Sequence, residues 1–421
     1  MQKSYTQPLI FTGLFCTLVS LAYAPIFAFA FLPIFFLFLA GSNLERKLTI
    51  FVPFLALYFV SLLLVELSRA QLIFNNDDFV YYYNYFLDFI KQEGDTRSYG
   101  GNVVIEPGLT ALNYLFATFI GEQPYIYKAA HVILQTFLLF LCVVVIGKYY
   151  RLSVSAFILL FTLVLVFYEY GYSFHILRQG YASFFVVLAV FSRSKLSKLI
   201  FVVLAACFHI TSIIVFPLVN FLIKNDVPGL RRKFVFMLIA GSGVLMVVLV
   251  LLSGLASSNP LLMKLLVAYY KFESIGSVLL LSFKNNLNVL LLFLFLFFVK
   301  QFSGKDVRYD NLIPIVAFMF TVGLFPSFNR LIYPISNILV GYLFYLYLCQ
   351  NNKIINGHLF YLICFNFIVL RLILNDGLFF RFEPVGHSAF YYLESISESA
   401  GWHNRALMPR YSLELLEQYK N

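Results

Sequence analysis

The stretch FVFMLIAGSGVLMVVLVLL, residues 234–252, decides the fold class of this protein. Its apolar residues are continuous and no charged residue interrupts them. About 20 apolar residues cross a bilayer as an α-helix, whereas the strands of a membrane barrel alternate with a period of two. Only helices and closed barrels satisfy the backbone in lipid. The stretch therefore predicts a membrane-spanning helix.

The same pattern recurs along the chain. Hydrophobic residues make up 61% of the 421 residues and charged residues only 12%, about half the charged share of a soluble domain. We predict an all-α polytopic membrane protein with about 11–13 transmembrane or re-entrant helices. The predicted spans are 8–24, 25–40, 49–67, 125–147, 154–171, 176–192, 234–253, 278–299, 311–326, 331–349 and 358–374.

Two apolar segments do not fit simple spans. Residues 109–121 are too short for a core of about 30 Å at about 1.5 Å per residue. Residues 199–222 are long enough, but they contain His209 near the centre and Pro217. Basic loops on both sides of 199–222 should be cytoplasmic, which requires a broken, re-entrant pair. A plain span that violates the charge rule is the alternative.

The distribution of charge indicates the topology of the chain, and the positions of the cysteines indicate their role. The net charge of +10 comes from short basic loops, which favours the positive-inside rule over nucleic-acid binding. We predict one membrane domain over 1–375, an outer loop at 68–108 and an outer tail at 376–421. The first apolar run should be a retained helix. The five cysteines lie in or beside apolar runs, which favours small core residues over disulfides or metal ligands.

Polar side chains at membrane depth are the candidates for chemistry, because they are costly in lipid. In FHILRQGYA, residues 174–182, we place His175, Arg178 and Gln179 at the outer start of a helix, with His175 on the same face as the other two. An arginine fork and the free N–H groups of a helix N-terminus can hold phosphate oxygens. An arginine that extends to the membrane interface is the alternative.

Imidazole and carboxyl groups are candidate proton acceptors. His209 in CFHITS could shuttle a proton or orient a hydroxyl, or it could simply bond a neighbouring carbonyl. Asp77, Asp78 and Glu106 could deprotonate a sugar hydroxyl, because a low dielectric raises the pKa of a carboxyl. The alternative is two solvated loop acids and a helix-start glutamate.

Two further segments could contact substrate. NNDDFVYYYNYF, residues 75–86, contains Tyr81; its rings could stack on sugars, or they could anchor the chain at the membrane interface. Arg330 in PSFNRLIYP, residues 326–334, could clamp a diphosphate together with Arg178, or it could mark a span boundary. Nothing in the sequence is typical of a nucleotide loop, a nucleophile elbow or a metal motif.

These motifs, in this order, resemble the EpsG-like branch of the Wzy polysaccharide polymerases. The resemblance covers roughly residues 70–350 and includes the span spacing between the motifs. Its motifs are the acidic–tyrosine segment, EPG at 106–108, LRQGYA at 177–182, SRSKLSK at 192–198, ACFHITS at 206–212 and NRLIYP at 329–334.

The resemblance implies a polymerase of undecaprenyl-diphosphate-linked oligosaccharide repeat units, acting at the outer face of the bacterial cytoplasmic membrane in the synthesis of O-antigen, capsule or exopolysaccharide. It implies no cofactor, because the carrier diphosphate is the leaving group. Its expected partners are the lipid-linked oligosaccharides and membrane lipid, with a chain-length regulator left open and no nucleic acid. The catalytic candidates are Asp78, Glu106 and His209. The substrate-binding candidates are Asp77, Tyr81, His175, Arg178, Gln179 and Arg330.

Other classes stay open on sequence alone. A flippase or transporter would need a central polar cavity and often inverted repeats, and the sequence has no clear internal repeat. A glycan ligase would use a different acceptor, and an acyltransferase would direct its histidine and arginine to the cytoplasm. A purely structural membrane subunit is less favoured, because several charges are predicted at membrane depth.

Overall fold

The fold was analysed in a computed structural model of the chain. The structure describes residues 3–23, 25–42, 44–67, 82–83, 85–87, 90, 106–121, 124–170, 173, 176–224, 233, 236–237, 240–241, 275–303, 312–323, 329–350 and 363–366. Nearly all of these residues are helical, and none of them forms a β-strand. The prediction of an all-α polytopic membrane protein is confirmed.

The helices follow the apolar runs of the sequence. They are α1 (Lys3–Tyr23), α2 (Pro25–Gly41), α3 (Lys47–Leu67), α4 (Pro107–Phe119), α5 (Pro124–Tyr150), α6 (Val154–Phe167), α7 (Leu177–Phe191), α8 (Lys195–Phe208), α9 (Ser212–Lys224), α10 (Ile275–Ser303), α11 (Leu312–Gly323), α12 (Asn329–Tyr333) and α13 (Val340–Gln350). A π-helical turn, Pro334–Leu339, joins α12 to α13.

Three helical stretches in the described residues are long and apolar enough to cross a bilayer: Lys47–Leu67, Ile126–Tyr150 and Leu331–Cys349. They coincide within a few residues with three of the predicted spans. Shorter apolar helices of 10–17 residues accompany them. Large apolar side chains such as Phe11, Phe38 and Phe119 point outward and are exposed. An outward apolar surface suits a protein whose solvent is lipid.

The structure divides into two compact units. The first comprises Met1–Ser212 and Gly341–Ala406, and the second comprises Ile213–Val340 and Leu407–Asn421. In the first unit, α2 packs on α3 and α6, while α7 packs on α5 and α8. The turn at residues 192–194 is short, so α7 and α8 form an antiparallel pair.

Helix α6 lies at the centre of the first unit, where every side chain from Ile158 to Phe167 is buried. Helix α13 crosses it very closely. A Cβ atom added at Gly341 would lie 2.5 Å from the Leu163 carbonyl oxygen and from Val164 Cα. A larger residue at position 341 would therefore force the two backbones apart.

In the second unit, α10 packs on α11 through polar contacts. The Asn286 side-chain amide donates to the Met319 carbonyl at 3.1 Å, and the Ser282 hydroxyl donates to the Phe320 carbonyl at 3.1 Å. Such bonds join helices in lipid, where apolar side chains gain little by leaving the acyl chains.

The segment 199–222 is broken into two helices, which was one of the two alternatives for it. Helix α8 ends at Phe208 and α9 begins at Ser212, with His209 in an extended conformation at the break. Pro217 lies inside α9 and does not cause the break. At about 1.5 Å per residue, α8 and α9 are each only about 20 Å long, as is α4. The re-entrant paths of 109–121 and 199–222 stay predictions.

The tyrosine-rich segment gives a correction. Tyr82, Tyr83 and Tyr85 are buried, so for these rings both the interface-anchor and the sugar-platform interpretations are wrong. Phe86, in the same segment, stacks on Tyr127 of α5 with ring centroids 4.4 Å apart. The buried tyrosine rings lie in an aromatic core, where they are shielded from both lipid and water.

Several predicted regions lie outside the described residues. They are most of the outer loop 68–108, most of the span 234–253, the span 358–374 apart from 363–366, and the tail 376–421.

Candidate functional site

Glu106 lies at the start of α4, in the N-cap position directly before Pro107. Proline suits the first helical position, because its missing N–H would have no partner in the helix. Gly108 then lets this turn approach α8 closely. A Cβ atom added at Gly108 would lie 2.9 Å from the Cys207 carbonyl oxygen and from the Phe208 ring. Glycine thereby brings the Glu106 side chain to the end of α8.

Arg178 lies in the first turn of α7, and its position depends on the segment before that helix. The Ser173 hydroxyl donates to the Gln135 side-chain carbonyl at 2.7 Å, and the Tyr168 hydroxyl donates to Ser173. A Cβ atom added at Gly180 would lie 3.0 Å from the Ser173 carbonyl oxygen. Buried polar bonds and a close glycine contact therefore fix the N-terminus of α7.

His209 is the C-cap residue of α8, with φ −154° and ψ 113°. Its backbone N–H donates to the Ala205 carbonyl at 2.9 Å, and its carbonyl accepts from the Ser212 N–H at 2.9 Å. The chain therefore leaves one helix and enters the next at this residue. The break turns the imidazole toward the beginning of α4.

The three side chains meet at the Glu106 carboxylate. Arg178 Nη1 donates to Glu106 Oε2 at 2.6 Å, and His209 Nδ1 lies 2.6 Å from Oε1. The backbone N–H of Ile210 donates to the same Oε1 at 3.0 Å. The side chains of Glu106, Arg178 and His209 are 5%, 22% and 13% exposed. The carboxylate is thus enclosed, while the cation and the imidazole reach the surface of the site.

The surroundings of Glu106 determine its charge. Burial raises the pKa of this carboxyl, but the hydrogen bond and charge of His209, the charge of Arg178 and the Ile210 N–H together lower it further than burial raises it. The pKa therefore lies below its ordinary value of 4.5. This reverses the direction predicted from the sequence for Glu106. Its carboxyl is ionised at neutral pH and can only accept hydrogen bonds.

The ionised carboxylate also fixes the tautomer of His209. Because Glu106 Oε1 can only accept, we assign the shared proton to His209 Nδ1. In the neutral imidazole the lone pair then lies on Nε2. Within the described part of the chain, the structure gives Nε2 no hydrogen-bond partner. This is the arrangement in which a carboxylate orients a histidine for proton transfer at its other nitrogen.

The other predicted site residues have different outcomes. Gln179 is buried, and its side chain leaves α7 roughly 100° around the axis from that of Arg178. Helix α7 begins at Leu177, with Ile176 as its N-cap at φ −108° and ψ 62°. Asp77, Asp78, Tyr81 and His175, together with the side chain of Arg330, lie outside the described residues.

A stripe of polar side chains on α5 was not predicted from the sequence. Lys128, His131 and Gln135 are all buried, and their spacing places them on one face of the helix. His131 Nδ1 lies 2.8 Å from the hydroxyl of Tyr181, which belongs to the same LRQGYA motif as Arg178. The available signal was the helical periodicity of polar residues inside the apolar run 125–147.

The described part of the chain contains no group of three or more His, Cys, Asp or Glu side chains able to hold a metal ion. All five cysteines are free.

The fold and the site define a polytopic membrane protein in which helix ends bring a guanidinium, a carboxylate and an imidazole together. The EpsG family model matches residues 54–383, more than three quarters of the chain and a range that includes all three side chains. The chain belongs to the EpsG family, which supports a role of the polysaccharide polymerase type. No curated protein and no solved structure matches the chain.

Proposed function

We propose that this protein polymerises oligosaccharide repeat units carried on undecaprenyl diphosphate, at the outer face of the bacterial cytoplasmic membrane. One observation carries the proposal: the Glu106 carboxylate holds the Arg178 guanidinium on one oxygen and the His209 imidazole on the other. An electrophilic cation and an oriented base side by side suit a transfer in which an anionic group leaves while a hydroxyl attacks.

Arg178 would act on the leaving group. As the bond between the anomeric carbon and the carrier diphosphate breaks, the diphosphate takes the bonding electrons and gains negative charge. A guanidinium in a low-dielectric site stabilises that charge, and a well-placed donor contributes about 3–4 kcal/mol to such a transition state. The backbone N–H groups in the first turn of α7 add a favourable field for the same anion.

His209 would act on the acceptor. Its Nε2 atom takes the proton from the acceptor hydroxyl while the hydroxyl oxygen forms the new bond to the anomeric carbon. The imidazolium that results is stabilised by the Glu106 carboxylate across the 2.6 Å contact. Attack from the side opposite the diphosphate would invert the anomeric centre.

Glu106 takes a different role here from that of the general base considered from the sequence. Its lowered pKa makes it a weak proton acceptor, and both of its oxygens already accept hydrogen bonds. Its proposed task is to hold the Nδ1–H tautomer of His209 and to orient Arg178. Asp78 is kept as an alternative catalytic candidate. The proposed contacts to the saccharide and the diphosphate are Asp77, Tyr81, His175, Gln179 and Arg330.

A purely structural ion pair is the competing explanation, because the same contacts tie α4, α7 and α8 together. A strain lacking the gene, complemented with His209→Gln, Arg178→Ala or wild type, separates the two. The expected result is that both variants insert in the membrane at wild-type level but give single repeat units instead of long glycan. Arg193→Ala is the control, because it removes an arginine beyond the far end of α7.

Three other results would contradict the proposal. Long glycan from properly inserted His209→Gln would remove the imidazole from the chemistry. Repeat units retained on the inner leaflet in the deletion strain would indicate a flippase. Long chains that are made but stay on their lipid carrier would indicate a ligase.

A further inference from the structure

We infer that Tyr181 is a positioning residue for His209: its ring acts on His209 through Phe208, and its hydroxyl is anchored on His131 of α5. The inference rests on the proposed role of His209 as the base. It concerns the part of the LRQGYA motif that the polymerase mechanism leaves unused.

Tyr181 contacts two neighbours with different parts of its side chain. Its ring stacks on the ring of Phe208, with centroids 4.9 Å apart and an angle of 30° between the planes. Its hydroxyl lies 2.8 Å from His131 Nδ1 on α5. Phe208 directly precedes His209, so the ring of Tyr181 lies against the last residue of α8 before the base.

His131, to which the Tyr181 hydroxyl is anchored, is fixed by its own neighbours. The His131 ring is buried and makes edge-on contacts with Phe116 at 5.0 Å and Tyr127 at 4.4 Å. The Tyr127 hydroxyl donates to the Asn113 side-chain carbonyl at 3.0 Å. His131 is therefore fixed by side chains of both α4 and α5, and the hydroxyl of Tyr181 has one defined place.

Gly108 limits Phe208 from α4. The missing Cβ atom would lie 2.9 Å from the Phe208 ring, so α4 leaves that ring little room on its side. Gly108 is two residues from Glu106, and Tyr181 is three residues from Arg178. The elements that hold Phe208 are thus the same ones that supply the carboxylate and the guanidinium.

This arrangement ties the position of the base to a hydrogen bond well removed from its ring. If the Tyr181 hydroxyl loses His131, the Tyr181 ring can slide, Phe208 follows it, and His209 Nδ1 moves from its 2.6 Å contact with Glu106. A displacement of about 1 Å at a reacting group can lower a rate roughly 100-fold. Tyr181→Phe removes only the anchor, because it keeps the ring that stacks on Phe208.

The experiment uses purified full-length protein in liposomes with lipid-linked repeat units extracted from the deletion strain. Tyr181→Phe should lower kcat roughly tenfold and leave KM near wild type. Tyr150→Phe is the matched control, because it also removes one interhelical hydroxyl bond, to the Tyr342 hydroxyl at 2.6 Å. Tyr150 lies about 28 Å along α5 from His131, and its variant should stay within twofold of wild type.

A second measurement does not depend on turnover. In protein with ¹⁵N-labelled histidine, the Nδ1–H proton that His209 donates to Glu106 should resonate far downfield, and His209→Gln assigns it by removing it. Tyr181→Phe should shift this resonance, whereas Tyr150→Phe should not. An unchanged resonance in Tyr181→Phe would overturn the positioning role, whatever the activity of the variant.

Double variants separate this inference from the proposed function. If His209→Gln is nearly inactive, adding Tyr181→Phe should cost little more, because both changes act through one base. Equal fold losses with and without His209 would overturn positioning and leave the polymerase proposal intact. Full activity of His209→Gln alone would instead overturn the proposed role of His209 as the base, and the positioning role with it.

Discussion

The two oxygens of Glu106 accept three hydrogen bonds, so the residue contributes to the site through its charge. Removing that charge would leave the Arg178 guanidinium without the carboxylate in a largely enclosed environment, which is costly in free energy. It would also leave His209 free to adopt the other tautomer. At the scale of a single residue, the carboxylate therefore determines both the orientation and the proton placement of its neighbours.

Glu106→Gln tests this role with little change in shape. The amide oxygen can still accept from His209, but the amide N–H₂ then faces the donor Nη1 of Arg178. We expect a loss of glycan-forming activity of at least roughly 100-fold, because a tautomer error in a carboxylate–histidine pair can cost up to about 10⁴-fold. The readout is turnover in liposomes at matched protein levels, and activity within twofold of wild type would contradict it.

Arg178→Lys tests the geometry of the cation. A lysine keeps the charge but cannot reproduce the planar fork. We expect Arg178→Ala to lower activity roughly 100-fold and Arg178→Lys to recover only part of that loss. The comparison is made by glycan length on gels and by turnover. Full activity with lysine would show that a point charge is sufficient.

The lowered pKa of Glu106 predicts a pH dependence of stability. A carboxyl whose pKa is lower in the folded state contributes stability that is fully present above its unfolded value of 4.5, and that stability is lost as pH falls through the folded pKa. Thermal unfolding in detergent between about pH 3 and pH 7 should therefore show a fall in Tm at the acidic end that is smaller in Glu106→Gln.

The control for this pH series is Glu45→Gln, because Glu45 is exposed in the loop between α2 and α3. This substitution should leave the acidic fall in Tm as in wild type. An equally steep fall in Glu106→Gln would place the responsible carboxyl elsewhere in the protein.

At the scale of elements, hydropathy predicted the long helices well because lipid-facing and core-facing residues of a membrane helix are both apolar. The span predicted at 49–67 became α3, Lys47–Leu67. The break in 199–222 was one of two alternatives that the sequence left open, with His209 near the centre of the apolar run. Its cause was not predictable, because Pro217 is the usual signal and lies inside α9. Contacts of Glu106 with His209 and the Ile210 N–H accompany the break instead.

Gly108→Ala tests how closely α4 must approach α8. The added Cβ would lie 2.9 Å from the Phe208 ring and the Cys207 carbonyl, which requires one element to move. We expect at least a tenfold loss of activity with membrane insertion retained, because a shift of about 1 Å separates Glu106 from His209. Gly241→Ala is the control, because a Cβ there meets nothing within 4 Å. Equal activities would contradict the close-approach argument.

At the scale of the whole molecule, the sequence supplied the candidate residues but not their grouping. Glu106, Arg178 and His209 were all candidates, yet Arg178 and His209 lie 72 and 103 residues along the chain from Glu106, whose carboxylate joins them. No local pattern encodes which acid among several meets which base. The polar stripe on α5 and the anchoring of Tyr181 were missed for the same reason, because those side chains find their neighbours only after the helices pack.

The two ends of α7 predict the orientation of the first unit. Arg178 lies at one end, and at the other Arg193 donates to the Lys148 and Tyr149 carbonyls at 2.9 Å and 2.8 Å. The 15 residues of α7 separate these ends by about 22 Å. Basic loops favour the cytoplasm, so the Arg178 end should face outward, where a lipid-linked saccharide would be accessible.

Cysteine labelling tests that orientation in a variant whose five native cysteines are replaced by alanine. A membrane-impermeant thiol reagent should label His175→Cys in intact cells and Ser194→Cys only after lysis, because the two positions flank opposite ends of α7. Labelling of Ser194→Cys alone in intact cells would invert the topology and place the Glu106 carboxylate toward the cytoplasm. That result would exclude polymerisation at the outer face and favour the acyltransferase class, whatever the glycan phenotype of the site variants.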